Sequence, residues 1–164
     1  MSQPRMSSED FKKYASAGQN AIIELGKAIA ASGLDAELQQ LVKLRASQIN
    51  GCAFCTQLHL NESRHMGMAA PKLDLIAVWR EAGVFSEKEK AALQWTELLT
   101  RLSEHHISDD DFAQVSAHFA PQELAWLSIA IGQINIWNRI AAPFQYTPPI
   151  PRHPIQPAQV SAHA

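Results

Sequence analysis

Apolar residues return every three or four positions along most of this chain, the repeat of one face of an α-helix. Ser8 is placed to cap a short first helix through Phe11 and Tyr14. A second runs from about Gln19 to Ala31, with Ile22, Ile23, Gly26, Ile29 and Ala30 on one side, and ends at Ser32-Gly33. Asp35 can cap a third, in which Leu38, Leu41, Val42, Leu44, Arg45 and Ile49 hold the 3.6-residue period until Asn50-Gly51 breaks it. A fourth is expected from about Cys52 to Met66. Pro71 suits the first turn of a short helix reaching Trp79 and Arg80. Ser86-Glu87-Lys88-Glu89 reads as a capping box leading into Ala91–Leu102. Ser108 starts another helix, and Pro121 opens the last long one, Leu124–Ala142.

No segment alternates with period two between turn signals, so no strand is assigned and the expected fold class is all-α. Residues 1–142 are read as a single helical domain. From Pro143 the character changes, because six of the nine prolines lie between Pro143 and Pro157. Residues 143–164 therefore read as a proline-rich arm, extended or disordered on the surface. The alternative is an arm across a neighbouring subunit, anchored by Phe144, Tyr146 and Ile150.

Composition narrows the function. With 164 residues the chain is long enough for one sizeable core. A net charge of −2 without a block of like charge gives nucleic acid or an anionic membrane no footing. The most apolar stretch, Leu124 to Phe144, is interrupted by Gln133, Asn135, Asn138 and Arg139, too polar for a membrane span. Met1 to Asp10 lacks the apolar run of a secretory signal. With only two cysteines, a reducing, cytoplasmic setting is expected.

Those two cysteines stand together as Cys52-Ala53-Phe54-Cys55, with His59 four residues on. In a helix, at roughly 100° per residue, Cys52, Cys55 and His59 fall within about 60° of one another. A disulfide across so short a loop removes little chain entropy, so stabilisation is not its purpose. In a redox reading, the helix start after Gly51 lowers a thiol's pKa, and His59 takes or stabilises the thiol proton. One cysteine is then oxidised to a sulfenic acid and the other resolves it to a disulfide.

Other readings remain open on the residues alone. Cys52, Cys55 and His59 could hold zinc if His65, His105 or His106 supplied a fourth ligand, but no second ligand pair follows. Thr56 stands where c-type haem attachment needs histidine, and a thioredoxin fold needs strands. Two buried cysteines can also be small hydrophobes, with His59 merely hydrogen-bonded. No cofactor or bound metal is expected. Trp79, Trp95, Trp126 and Trp137 read as core or interface anchors, and His105-His106 as a solvated loop. Gln133, Asn135 and Asn138 read as core or interface hydrogen-bonders, and Glu62 as an orienting partner of His59 or a surface carboxylate.

The run from Leu41 through Arg45, Gln48, Asn50-Gly51 and Cys52-Ala53-Phe54-Cys55 to His59 resembles the alkylhydroperoxidase D core of the carboxymuconolactone decarboxylase-like family. The match is dense over about 34–67, and Ile134-Asn135-Ile136-Trp137-Asn138-Arg139 resembles the same branch. The resemblance implies an all-helical bundle assembled as a homo-oligomer, trimer or hexamer, with the active site near a subunit interface. It implies a thiol-dependent peroxidase or disulfide reductase. Its substrate would be a hydroperoxide or disulfide, and a thiol reductant of unknown identity would restore it. On this resemblance Cys55 attacks peroxide, Cys52 resolves, and His59 relays the proton.

Two departures stand out. Gln40 occupies the position, twelve residues before the first cysteine, where family peroxidases commonly carry a glutamate at the far end of the relay. An amide hydrogen-bonds but does not shuttle protons. Phe54 stands where characterised peroxidases tend to have histidine. Together these predict weak peroxidase activity or related thiol chemistry, with Glu37 as a substitute only if it faces the same way. The contrasting class is a non-enzymatic redox sensor, or a zinc-binding helical oligomer, without turnover.

Overall fold

A computed structural model describes residues 3–152, and every regular element among them is helical. The helices are α1 (Ser8–Tyr14), α2 (Ser16–Ala31), α3 (Ala36–Ile49), α4 (Ala53–His65), α5 (Ala70–Leu75), α6 (Glu87–Thr100), α7 (Asp109–Ser116) and α8 (Pro121–Ala141). A short 3-10 turn, Ile76–Val78, follows α5.

The caps account for the boundaries. Asp35 accepts the Leu38 N–H, and Ser86 and Ser108 form reciprocal capping boxes with Glu89 and Asp111. The first cap is Ser7 rather than Ser8, since the Ser7 oxygen reaches the Asp10 N–H. The helix expected through Trp79 and Arg80 stops earlier. There the chain tightens so that Trp79 can turn its indole N–H onto Glu97 at 2.9 Å.

The central element is α3, packed against α4, α6 and α8. Its inner face carries Leu38, Leu41, Val42 and Leu44, all buried. Ile29 of α2 and Leu127 and Ile131 of α8 are fully buried in the same interior. Each such side chain contributes about 1.5–3 kcal/mol over its exposed state. A second apolar cluster joins Leu41 and Leu44 to Leu73, Ile76, Trp79 and Leu93. Glu97 sits beside it, bonded by Arg45 at 2.6 Å, Arg80 at 2.7 Å and Trp79. Burial alone would raise its pKa, but these donors outweigh burial and hold the carboxyl below the ordinary glutamate range.

The start of the proline-rich arm does not trail away. Tyr146 is buried, edge-on to Phe54 at 5.6 Å and stacked with Phe144. Asn61 donates to the Pro149 carbonyl at 2.7 Å, and Arg5 bonds the Phe144 and Pro143 carbonyls. Proline content forbids a helix, but the aromatic residues between the prolines supply apolar area to dock. Phe144 and Tyr146 anchor the arm on this same chain, whereas Ile150 is exposed. The rest of the expected arm, 153–164, lies outside the described residues.

Candidate functional site

The junction of α3 and α4 builds the site. Gly51 has φ of +63°, and the Gly51 and Cys52 N–H groups return to the Gln48 and Ser47 carbonyls. This is the paired closure of a helix C-terminus around a left-handed residue, which glycine adopts without steric cost. The residue that closes α3 also opens α4. Cys52 is the N-cap, with φ −84° and ψ 96°, and its sulfur accepts the Cys55 N–H at 3.3 Å. The helical-phase expectation therefore holds for Cys55 and His59, while Cys52 stands just outside the helix as its cap.

Both thiols are free and buried, at 1% and 2% exposure for Cys52 and Cys55. Their surroundings separate them electrically. The Cys55 thiol donates to the Cys52 sulfur, which lowers the Cys52 pKa to about 7 against the opposing cost of burial. Backbone N–H groups of Cys55 and Phe54 and the Asn138 amide add to the lowering. The same bond raises the Cys55 pKa, as do burial and the neighbouring Cys52 charge. Both directions favour the thiolate on Cys52 over Cys55.

Access separates them in the opposite sense. Cys55 lines a cavity of about 350 Å³ with His59, Glu62 and Lys43, and Cys52 does not. Phe54, Trp137 and Tyr146 form much of its apolar wall. Both thiols belong to one apolar cluster with Ala46, Ile134 and Ala141.

His59 is buried, and its Nδ1 is 3.0 Å from the Gln40 Oε1 and 3.1 Å from the Glu62 Oε2. Both partners are acceptors, so Nδ1 carries the proton and Nε2 is left as the basic nitrogen. The His59 hydrogen bond is the main cause of a lowered Glu62 pKa, opposed by burial and helped by Gln40 and the Lys43 charge. Burial lowers the Lys43 pKa in turn, and Glu62 opposes that. Glu37 is exposed, and the Nδ1 partners are Gln40 and Glu62 instead. The carboxylate beside His59 comes from α4.

Among the described residues, no three His, Cys, Asp or Glu side chains converge as a metal site requires. Cys52, Cys55 and His59 are not so arranged, and His65, His105 and His106 are exposed. Asn138 was legible only as a buried hydrogen-bonder. It donates to Ser47 at 3.1 Å and accepts from Asn50 at 2.9 Å, while its amide also lowers both thiols. Lys43, Trp137 and Tyr146 also reach the cavity; Trp137 and Tyr146 were legible only as anchors, and nothing local in the sequence marks Lys43.

The chain is similar to known proteins along most of its length. The model of the carboxymuconolactone decarboxylase family matches residues 17–98. The uncharacterized protein YdfG of Bacillus subtilis is 31% identical over 131 residues, which covers 80% of this chain and 89% of that protein. A solved protein of unknown function from Agrobacterium tumefaciens, ATU0492, has been suggested to be the antioxidant defence protein AhpD. It superposes with a TM-score of 0.85 at 39% identity, covering 91% of this chain and all (100%) of that one. An uncharacterized peroxidase-related protein from Ralstonia eutropha JMP134, described as an alkylhydroperoxidase AhpD core, gives a TM-score of 0.74 at 18% identity. It covers 85% of this chain and 74% of that one, and at this identity it speaks for the fold alone.

Proposed function

This chain belongs to the carboxymuconolactone decarboxylase family, and from that premise we propose that it is a thiol-dependent oxidoreductase reducing hydroperoxides through Cys52 and Cys55. The observation that carries the reading is the division of labour in the pair. Cys55 faces a cavity it shares with a histidine held as a base, and the more acidic Cys52, whose sulfur accepts the Cys55 N–H, does not line it.

The steps follow from that geometry. The Cys55 thiol passes its proton to the His59 Nε2, and Cys52 remains the thiolate. The Cys55 thiolate then attacks the terminal oxygen of a hydroperoxide. An S–O bond forms and the O–O bond breaks, leaving Cys55 as a sulfenic acid and the peroxide reduced to an alkoxide. Protonated His59, stabilised by Glu62, supplies the proton that makes the alcohol. The Cys52 thiolate attacks the Cys55 sulfur, forming the S–S bond as the S–O bond breaks, and the departing hydroxide takes a proton from solvent to leave as water. A thiol reductant returns two electrons and two protons to the disulfide.

Glu62 answers the missing family glutamate. A carboxylate stands at the His59 Nδ1 even though Gln40 is an amide, so the far end of the relay keeps its charge. The reading also includes self-assembly, favoured by the exposed apolar side chains Leu102, Ile129 and Ile136. No described helix is long and apolar enough to cross a membrane.

Steady-state reduction of cumene hydroperoxide with dithiothreitol tests the reading. The expected result is turnover by the wild type and loss of at least a hundredfold in Cys55→Ser. Full turnover by Cys55→Ser would overturn it.

A further inference from the structure

Three asparagines, Asn50 at the end of α3 and Asn135 and Asn138 on α8, form a hydrogen-bonded series whose direction is fixed at one end. Asn135 stands between a group that can only accept and one that can only donate. Its Nδ2 donates to the Ile131 carbonyl at 2.9 Å, and its Oδ1 accepts from the Arg139 guanidinium at 2.8 Å. Asn50 therefore turns its Nδ2 to that oxygen at 2.9 Å, and the same Nδ2 lies 2.9 Å from the Asn138 Oδ1. With its oxygen held there, Asn138 directs its Nδ2 the other way, onto the Ser47 Oγ at 3.1 Å. The Ser47 hydroxyl donates its own proton to the Lys43 carbonyl at 2.7 Å, so it accepts from Asn138. The series leaves Asn138 presenting a donor, not an acceptor, on the side away from Asn50.

Only one of the two Nδ2 hydrogens goes to Ser47, and at 1% exposure Asn138 has no water to take the other. On α8 it lies four residues after Ile134 and three before Ala141, on the face that shares an apolar cluster with Cys52 and Cys55. Its partner Ser47 also accepts the Cys52 N–H through its backbone carbonyl, at 3.0 Å. The Asn138 amide acts on both sulfurs. The Cys55 thiol is the main cause of the lowered Cys52 pKa, and the amide adds to it. The bond to Cys52 raises the Cys55 pKa, and the amide opposes that rise.

We propose that Asn138 is a positioning residue of the thiol pair, a single oriented amide donor that holds the anion on whichever of the two sulfurs carries it. This rests on the reading of Cys52 and Cys55 as a redox pair, and it adds a member from outside the contiguous motif. His59 answers a change of charge by gaining or losing a proton, whereas an amide donor serves without changing its protonation. The donor is therefore in place before attack on peroxide, and again when a thiol reductant opens the disulfide and one sulfur departs as thiolate.

Thiolate absorbance of the reduced protein against pH, with no peroxide present, tests the assignment. The titratable groups lining the cavity beside the pair are Cys55, His59 and Glu62 from α4, Lys43 from α3 and Tyr146 from the arm, and α2 and α8 bring none. Asn138→Leu keeps the side-chain volume and leaves all of these in place. Its thiolate midpoint should rise by about one pH unit, the effect of one lost hydrogen bond to a charged group. Ser47→Ala frees a hydrogen of the same amide without removing the donor, so its midpoint should not rise. Asn50→Ala, at a half-buried helix end, releases the Asn138 oxygen and lets the amide turn over. Its midpoint should also rise, which keeps the test open where Asn138→Leu fails to fold. An unchanged midpoint in folded Asn138→Leu, an unchanged midpoint in Asn50→Ala, or a rise in Ser47→Ala equal to that in Asn138→Leu would each overturn the assignment. Turnover of cumene hydroperoxide by the same samples reports on the peroxidase reading separately. Wild-type turnover without a shift in Asn138→Leu sinks the assignment alone, and the shift without wild-type turnover upholds the assignment and sinks the peroxidase.

Discussion

At the scale of single residues, the site depends on which atom holds each proton. Two acceptors on the His59 Nδ1 fix its tautomer, and only Glu62 among them carries charge. Glu62→Gln is therefore expected to lower peroxide turnover about tenfold to a hundredfold. Adding Gln40→Glu should recover most of the loss, since the carboxylate returns from α3. Failure of that second change would show that Glu62 acts otherwise. The thiol pair makes a pH prediction. With the Cys52 pKa at about 7, thiolate absorbance of the reduced protein should rise near neutrality, and Cys55→Ala should move that rise upward by removing its largest cause. The sign for stability follows from linkage. A lowered thiol pKa adds stability that is present above the unfolded value and lost as pH falls through about 7. Urea denaturation of the reduced protein should thus show stability growing with pH above about 7 from Cys52, a gain that the raised Cys55 pKa opposes above the ordinary thiol value. The contiguous motif Cys52, Cys55 and His59 was legible in the sequence because its members share one turn and a half of chain. Glu62 was visible as a partner, but whether it faced the ring depended on how α3 and α4 pack.

At the scale of elements, one backbone turn sets the site. The α3–α4 junction spends a single left-handed residue, Gly51, to place Cys52 as a cap. Gly51→Ala is expected to cost about 1–2 kcal/mol, the strain of that conformation for an L side chain. It should also raise the Cys52 pKa, because the cap geometry loosens. A substitution that lowers stability but leaves the thiol titration in place would separate the turn from the site. Helix positions were legible because caps and periodicity are local: Asp35, Ser86 and Ser108 all cap as their spacing indicates. The end of α5 was not, because the Trp79–Glu97 contact that tightens it lies across the fold. The docking of the arm's start on this same chain was not legible for a related reason. Its prolines rule out a helix, but the burial of Tyr146 against Phe54 depends on a surface made by α4.

At the scale of the whole molecule, Glu97 ties the second core to the first by holding Arg45, Arg80 and Trp79 together. Removing it strands a half-buried guanidinium, so Glu97→Ala should cost about 3–5 kcal/mol by urea denaturation. Its pKa is lowered in the fold, so its contribution is present above the ordinary glutamate value of 4.5 and is lost as pH falls through the lower folded value. The all-helical class was legible throughout, whereas the cavity was not, since α2, α3, α4, α8 and the arm each give it a wall. All of these elements serve the pairing of a buried thiol that lines the cavity with a more acidic one that does not. The most direct measurement is the intact mass of the reduced protein before and after one equivalent of cumene hydroperoxide, with peptide mapping. The expected result is loss of two hydrogen atoms and a Cys52–Cys55 disulfide in wild type, and a sulfenic acid trapped on Cys55 in Cys52→Ser. Unchanged mass with both thiols free would contradict the proposed chemistry.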